Sequence, residues 1–541
     1  PRLDVTVLLR DPQDIPPPQV MDAPVFKGRI AGLKGHLGAF ELIVNDYAAP
    51  LASSRATLSF EAPRDGAASR CDLILDLAGG PALVAAPEKR DGYFNPDPGD
   101  PARVQKALFE IADMVGTFEK PRYVRYDADL CAHGASRKVG CERCLDVCPA
   151  GAIRPDGDRV AIDPFLCGGC GQCASVCPTG AAQYEMPAGD GLLRRMRALL
   201  AAYDDAEGPR LAGPAVLAIH DAWGEEALAL SARMGRGLPA NVIPFRVNEA
   251  TQIGFQELSA ALAWGATAVR ILLNPAKQED ALGLARQIGL IGAVADGFGF
   301  SGDRASVIAE ADPTAIEAAL WADAPAPAPQ ASRFLPMGAR RSVTMLALRH
   351  LNEVAPTPTE EIALPAGAPF GDIAVDADAC TLCLACVGAC PTGALLDDPD
   401  HPRLSFLEES CVQCGLCQTT CPESAITLVP RLNLREDARI PVVKTEEDPF
   451  RCVRCGKPFG TRKSIQGIVD KLAGKHWMFS EGDAADRILM CEDCRVVVQF
   501  ESGAEPMAMG ERPRVRTTDD DLREREAARR AGRPTEDDTL H

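Results

Sequence analysis

Positive charge is scarce in this sequence: 57 Lys and Arg stand against 76 Asp and Glu, a formal charge of −19. Nucleic-acid binding draws its affinity from cations laid along the phosphates, so nucleic acid is excluded as a general partner. An acidic chain docks instead on basic patches of another protein. Also lacking are an apolar run long enough to cross a bilayer and a basic-then-apolar signal, so the chain is read as cytoplasmic without a membrane span. It starts at Pro1 rather than methionine, which leaves room for a segment upstream. No phosphate loop of the G-x4-G-K-[ST] kind occurs, and Gly28, Gly32, Gly35 and Gly38 read as turn and bulge glycines. What the chain has in excess is cysteine, 21 residues in all.

Sixteen of them fall into four runs: Cys131, Cys141, Cys144 and Cys148; Cys167, Cys170, Cys173 and Cys177; Cys380, Cys383, Cys386 and Cys390; Cys411, Cys414, Cys417 and Cys421. Each run ends in proline, at Pro149, Pro178, Pro391 and Pro422, and the last three obey C-x2-C-x2-C-x3-C-P without deviation. Three thiolates two residues apart can wrap one iron–sulfur cube, while the fourth points to a second cluster. Proline after the fourth removes a donor and fixes the turn. Gly168, Gly169, Gly171 and Gly415 let backbone N–H groups approach sulfur, which is one lever on reduction potential. Zinc knuckles or a disulfide framework are the competing reading, and three copies of this pattern with a fourth near copy in a chain of this size oppose both.

The first run departs from the rest. Nine residues, AHGASRKVG, separate Cys131 from Cys141 where the other runs have two. Either Cys131 reaches its iron across the longer loop, or His133 fills that corner; the plain reading of His133 is a solvated loop residue. Arg137 and Lys138 in the insertion are candidates for raising a potential or for a docking surface.

Over Tyr123 to Tyr184 and Val375 to Val429 the chain resembles bacterial ferredoxins that hold two 4Fe-4S clusters. The resemblance implies four clusters with crossed ligands: Cys131, Cys141, Cys144 with Cys177; Cys167, Cys170, Cys173 with Cys148; Cys380, Cys383, Cys386 with Cys421; and Cys411, Cys414, Cys417 with Cys390. The order of parts, including GTFEKPRYVRYD, CPTGAAQY and CVRCGKPFGTRKSI, is similar to large proteobacterial 4Fe-4S ferredoxin-type proteins associated with formate dehydrogenase. That kinship implies a formate dehydrogenase as redox partner, with formate chemistry in the partner, since no catalytic or molybdopterin motif is present here.

Cys452, Cys455, Cys491 and Cys494 form two C-x2-C knuckles 35 residues apart, the grammar of an all-cysteine structural zinc site. A rubredoxin-like iron or a fifth cluster stays open beside zinc. Lys457, Arg462 and Lys463 suggest a basic contact face or a solvated surface. Cys71, alone in CDLILDLAG, reads as a buried, inert thiol.

The fold expected is multidomain α/β. Residues 1–122 mix strands (DVTVLL, FELIVND, CDLILDLA, PALVAAP) with a helix over about Pro101 to Phe118. Ferredoxin-like modules follow at 123–190 and 371–430. Between them, 191–325 alternates strands and helices as a parallel, flavodoxin- or Rossmann-like α/β domain without metal ligands. This middle segment resembles the delta subunit of methyl-viologen-reducing hydrogenase, minus its cysteines. His220, Asp221 and Asn248 lie near strand ends, where open sheets bind ligands; a purely structural domain is the alternative. Residues 326–370 are a linker and helix, with ADAPAPAPQAS as a semi-rigid Pro/Ala stretch. On that helix Arg340, Arg341, Arg349 and His350 are either a docking stripe or solvated residues around Val343, Leu346 and Leu348. A zinc-ribbon-like domain is expected at 445–500 and a disordered or lone-helix charged tail at 501–541.

Three functions are open at this point: electron transfer without bond chemistry, assembly of a metalloenzyme, and a flavin or nicotinamide reductase. The third is opposed by the lack of a dinucleotide fingerprint, a glycine-rich turn leading from strand into helix.

Overall fold

The computed structural model describes residues 3–20, 22–322, 324–325, 330–399, 401–472, 486–501 and 517–531. The chain divides into two compact units: 1–380 with 384–397 and 404–445, and 381–383 with 398–403 and 446–541.

At the centre of the first unit is a parallel sheet. Its strands stand in the order Val242–Arg246, Val216–His220, Ala268–Leu272, Ala305–Ile308. All five residues of Val216–His220 are buried, as befits a strand with parallel neighbours on both sides and helices on both faces. Asp221 caps the following helix, Ala222–Met234, by accepting from the Gly224 N–H. The helix Pro313–Leu320 starts from Asp312 with proline at its first position. The run Gly297, Gly299, Gly302 has the bare spacing G-x-G-x-x-G, but it leaves the helix Leu282–Gly297 and precedes the strand Ala305–Ile308, the reverse of the dinucleotide setting.

The main core fills the space between this sheet, the helices Gly189–Asp205 and Phe255–Ala263, and the helix Arg340–Glu353. Trp264, 2% exposed, sits in it and donates from Nε1 to the Phe334 carbonyl. Ile362, Leu364 and Phe370, from just before the second ferredoxin-type segment, and Leu432, from just after it, enter the same core. Residues 330–370, expected as linker and helix, are thus packed structure wherever they are described; residues 323 and 326–329 of the Pro/Ala stretch lie outside the described residues. On the helix Arg340–Glu353, Val343 and Leu348 are buried as expected, and Leu346 faces out.

The N-terminal sheet runs Val7–Leu9, Val25–Lys34, Phe40–Ala48, Ala67–Cys71, the first pair parallel. Bulges at Lys27/Arg29 and Ile30/Gly32 account for the glycines there. The helix spans Pro101–Asp113, shorter than expected, and PALVAAP forms bends rather than a strand. Arg90 fastens this region to the first ferredoxin-type segment by donating to the Gly35 and Ala150 carbonyls. Cys71 is half-buried, and burial together with Asp72 raises its thiol above the ordinary range.

In the second unit, a hairpin pairs Pro449–Arg451 with Pro458–Thr461, followed by the helices Arg462–Leu472 and Glu492–Glu501. A ribbon would carry both knuckles on β-hairpins; here the second opens a helix, so the ribbon expectation is corrected to hairpin plus helix. Of the tail, 517–531 is described and holds the helix Thr518–Arg530; the remainder lies outside the described residues. No described helix is long and apolar enough to cross a membrane.

Candidate metal centres

Each cysteine run bends into a short helix, at Arg143–Asp146, Gln172–Val176, Ala385–Ala389 and Leu416–Thr420. The three regular runs take a left-handed backbone at the same two places: Gly169 and Gly171, Leu382 and Leu384, Gln413 and Gly415. Backbone N–H groups are aimed at the sulfurs: the amides of Arg143, Gly169, Gln172, Gln413 and Leu416 reach Cys141, Cys167, Cys170, Cys411 and Cys414 and offset part of the rise that burial imposes on those thiols. A second device recurs after the proline. The alanine four or five residues beyond the fourth cysteine donates its N–H back to that sulfur, Ala152 to Cys148 at 3.3 Å, Ala182 to Cys177 at 3.4 Å, Ala394 to Cys390 at 3.3 Å and Ala425 to Cys421 at 3.3 Å.

The fold brings three of the fourth cysteines, Cys177, Cys148 and Cys390, beside the opposite run. Burial pushes up the thiols of Cys141 and Cys144, the latter to about 12, and both feel the charges of Cys177 and Cys131. Burial likewise raises Cys167, Cys170 and Cys173, which all feel Cys148. In the second segment Cys411, Cys414 and Cys417 are raised by burial, the last two to about 11 and about 12, and all feel Cys390. Cys417 also feels Cys386. Of the remaining set, Cys386 is buried and Cys380 and Cys421 half-buried in the first unit, and Cys383 is exposed in the second.

These residues fit an iron–sulfur group. Thiols gathered this closely can be held together as thiolates by a bound cation, and N–H groups already point at the sulfurs. Gln252 has both amide atoms buried and without a partner, and its Cβ lies 2.6 Å from where a Cβ on Gly171 would stand, next to Cys170. Lys89 and Lys120 supply positive charge to Cys167, and Lys89 to Cys170. Lys89, Lys120 and Gln252 carry no sequence signal, since they reach the site from distant segments.

His133 is buried rather than solvated, 2% exposed, with Nδ1 3.0 Å from the Cys141 carbonyl oxygen. Cys131 is buried and close to Cys141 and Cys144. The expected arginine stripe is not a free surface: Arg341 donates to the Pro369 and Glu409 carbonyls, Arg340 to the Ala174 and Cys177 carbonyls, and Arg349 pairs with Glu409 at 2.7 Å. Burial lowers Arg341 to about 10.

At the sheet's strand ends, the groups expected to meet a ligand meet protein. Asn248 donates to the Tyr184 hydroxyl, whose own proton goes to the Gly169 carbonyl; Thr251 donates to the Cys170 carbonyl. Asp221 caps a helix and lies 4.0 Å from Lys277, and His220 Nδ1 is 3.1 Å from the Asp221 carbonyl oxygen. The crest of the sheet therefore holds the first cysteine-rich segment.

In the second unit the ligand atoms of Cys452, Cys455, Cys491 and Cys494 all lie within 4.8 Å of one another, the one such group among the described residues. Burial raises Cys452, but N–H groups of Cys455, Cys491 and Arg454 outweigh it and bring the thiol down to about 6; Cys494 is pushed to about 12 by burial and its neighbouring sulfurs. Four sulfurs this close repel one another as thiolates and suit one cation. Lys457 is committed to Glu492 and Asp493, at 3.3 and 3.1 Å, and is not a bare basic face.

Two stretches match the 4Fe-4S dicluster domain, residues 138–181 and residues 372–422. Two ferredoxin-type 4Fe-4S dicluster domains are therefore present within a mixed α/β chain. The first match begins inside the insertion and leaves Cys131 outside it. A search of curated proteins finds no match.

Proposed function

We propose that this chain is an electron-transfer protein that holds four 4Fe-4S clusters on the crossed cysteine sets and serves a partner oxidoreductase. The placement of Cys148 beside Cys167, Cys170 and Cys173, and of Cys390 beside Cys411, Cys414 and Cys417, supports it most, together with the two dicluster matches. A 4Fe-4S cluster bound by thiolates takes up and gives back single electrons. The chain's own residues hold the sulfurs, bury most of them in part or whole and donate N–H bonds that favour the reduced, more negative state. The central α/β domain is the scaffold on which both modules are seated. Formate dehydrogenase is the partner we put first, on the resemblance in the order of parts. At Cys452, Cys455, Cys491 and Cys494 we propose zinc, because thiolates within 4.8 Å match one tetrahedral ion, whereas a cube spreads its thiolates over separate irons.

Anaerobic purification of the full chain from its host, with iron and sulfide assay, EPR of the reduced protein and identification of what co-purifies, tests this reading. Iron and sulfide for four cubes, reversible reduction and a stoichiometric oxidoreductase are expected. Chaperones with an apo-enzyme, and transfer of clusters to it, would make the chain an assembly factor instead.

A further inference from the structure

The insertion that sets the first cysteine run apart is a built element. Gly134–Ala135 pairs with Lys138–Val139 as a hairpin, and Ser136 and Arg137 at its tip both have positive φ, the turn that matches strand twist. Asp158 accepts from the tip amides at 3.1 and 3.0 Å, and the His133 carbonyl accepts from Gly140 at 2.7 Å.

The returning strand runs into the second dicluster domain. A Cβ on Gly140 would stand 2.5 Å from Leu416 Cγ and 3.1 Å from the Cys414 carbonyl oxygen, and Leu416 is 1% exposed. The next residue after Gly140 is Cys141. Two residues further, Arg143 donates through Nη2 to the carbonyls of Gln413, Ala368 and Val412, at 3.0, 3.3 and 3.4 Å. From the other side, consecutive arginines on one helix each take a different domain: Arg340 holds Ala174 and Cys177 of the first, Arg341 holds Pro369 and Glu409 around the second.

We propose that the Ala132–Gly140 insertion is a coupling clamp. It seats the second dicluster domain on the first so that the set Cys131, Cys141, Cys144, Cys177 and the set Cys390, Cys411, Cys414, Cys417 become electronic neighbours. The chain then works as one unit of four sites, not as two ferredoxins carried by a common scaffold. Only glycine at 140 allows the approach, because any side chain there meets Leu416. The proposal rests on the electron-transfer reading above.

The test is a compensating pair in the full, anaerobically loaded chain, with EPR relaxation of the reduced protein as readout. Gly140→Ala should slow relaxation, with the half-saturation power falling several-fold, while iron and sulfide per chain stay at the parent level. Adding Leu416→Ala removes the atoms that the new methyl group meets and should restore the parent relaxation. Coupling inside each domain is common to all three proteins, so the difference reports the contact between domains. Unchanged relaxation in Gly140→Ala, or no recovery in the double variant, overturns the clamp. If Gly140→Ala loses iron, recovery of iron and relaxation in the double variant supports the clamp, and failure to recover overturns it. A parent chain without iron, or one that cannot be reduced, fails the electron-transfer reading; an iron-replete, reducible chain with no response to the pair fails the clamp alone.

Discussion

At the scale of the residue, the proposed crossed pairing makes position along a run decide which centre a cysteine serves. Replacing Cys148 with serine should perturb the site of Cys167, Cys170 and Cys173 and spare that of Cys141 and Cys144; resonance Raman or EPR of the variant would read the opposite if ligands followed sequence order. Gly171 carries two constraints, φ of +77° and Gln252 Cβ 2.6 Å from its would-be methyl group. Left-handed strain and overpacking together set the cost of Gly171→Ala at about 2–4 kcal/mol, visible as a lowered melting temperature and earlier iron release. Leu384 occupies the equivalent turn in the third run with φ of +58°. The glycines of the second run were legible as close-approach residues, but Leu382, Leu384 and Gln413 were not, because nothing in a non-glycine residue announces a left-handed backbone. His133 was misjudged for a related reason: polarity suggests exposure, and only the hairpin's closure against the rest of the domain buries it.

Elements are held by groups that the sequence does not pair. Strand Ile426–Asn433 bridges Glu361–Ala363 and Gly371–Val375, and Arg431 on it bonds Glu408 at 2.8 Å and Asp372 at 3.1 Å. The Glu408 bonds, and the charges of Glu408, Asp372 and Glu361, make Arg431 hold its proton more tightly than an ordinary arginine. Arg431→Ala leaves the buried Glu408 carboxylate without its cation, with the neutral Asn433 amide still donating to it, and should cost about 3 kcal/mol, read from a denaturant titration. The four-cysteine centre makes a separate prediction. Chelating its metal should melt the hairpin Pro449–Thr461 and the helix Glu492–Glu501 in hydrogen exchange, with cluster absorption intact. Bleaching of that absorption in step with the melt would place iron there. Strand-and-helix alternation in the middle segment was readable from hydrophobic periodicity, element by element. The second knuckle was not, since C-x2-C is the same string on a hairpin and at a helix start.

At the scale of the molecule, one core serves several segments. Trp264 belongs to the α/β domain, yet its cluster includes Leu348 of the following helix and Phe370 and Leu432, which flank the second dicluster domain. Trp264→Ala should cost about 3–5 kcal/mol. It should also lower the temperature of backbone melting and of iron bleaching together, if this core supports both; two separated transitions, with only one shifted, would show that the dicluster domains stand independently of it.

Cysteine spacing by itself determined the chemistry: C-x2-C-x2-C-x3-C-P is local, and its turns need only neighbouring residues to shape a thiolate cage. Charge balance and the length of apolar runs are likewise read from the sequence alone, because neither depends on folding. Tertiary structure alone decided the rest. That a sheet crest holds the first dicluster domain, that consecutive arginines hold different domains, and that the nine-residue loop between Cys131 and Cys141 meets Leu416 are contacts between segments far apart in sequence. Such contacts follow from how buried surfaces fit together, and no local pattern of residues encodes that fit.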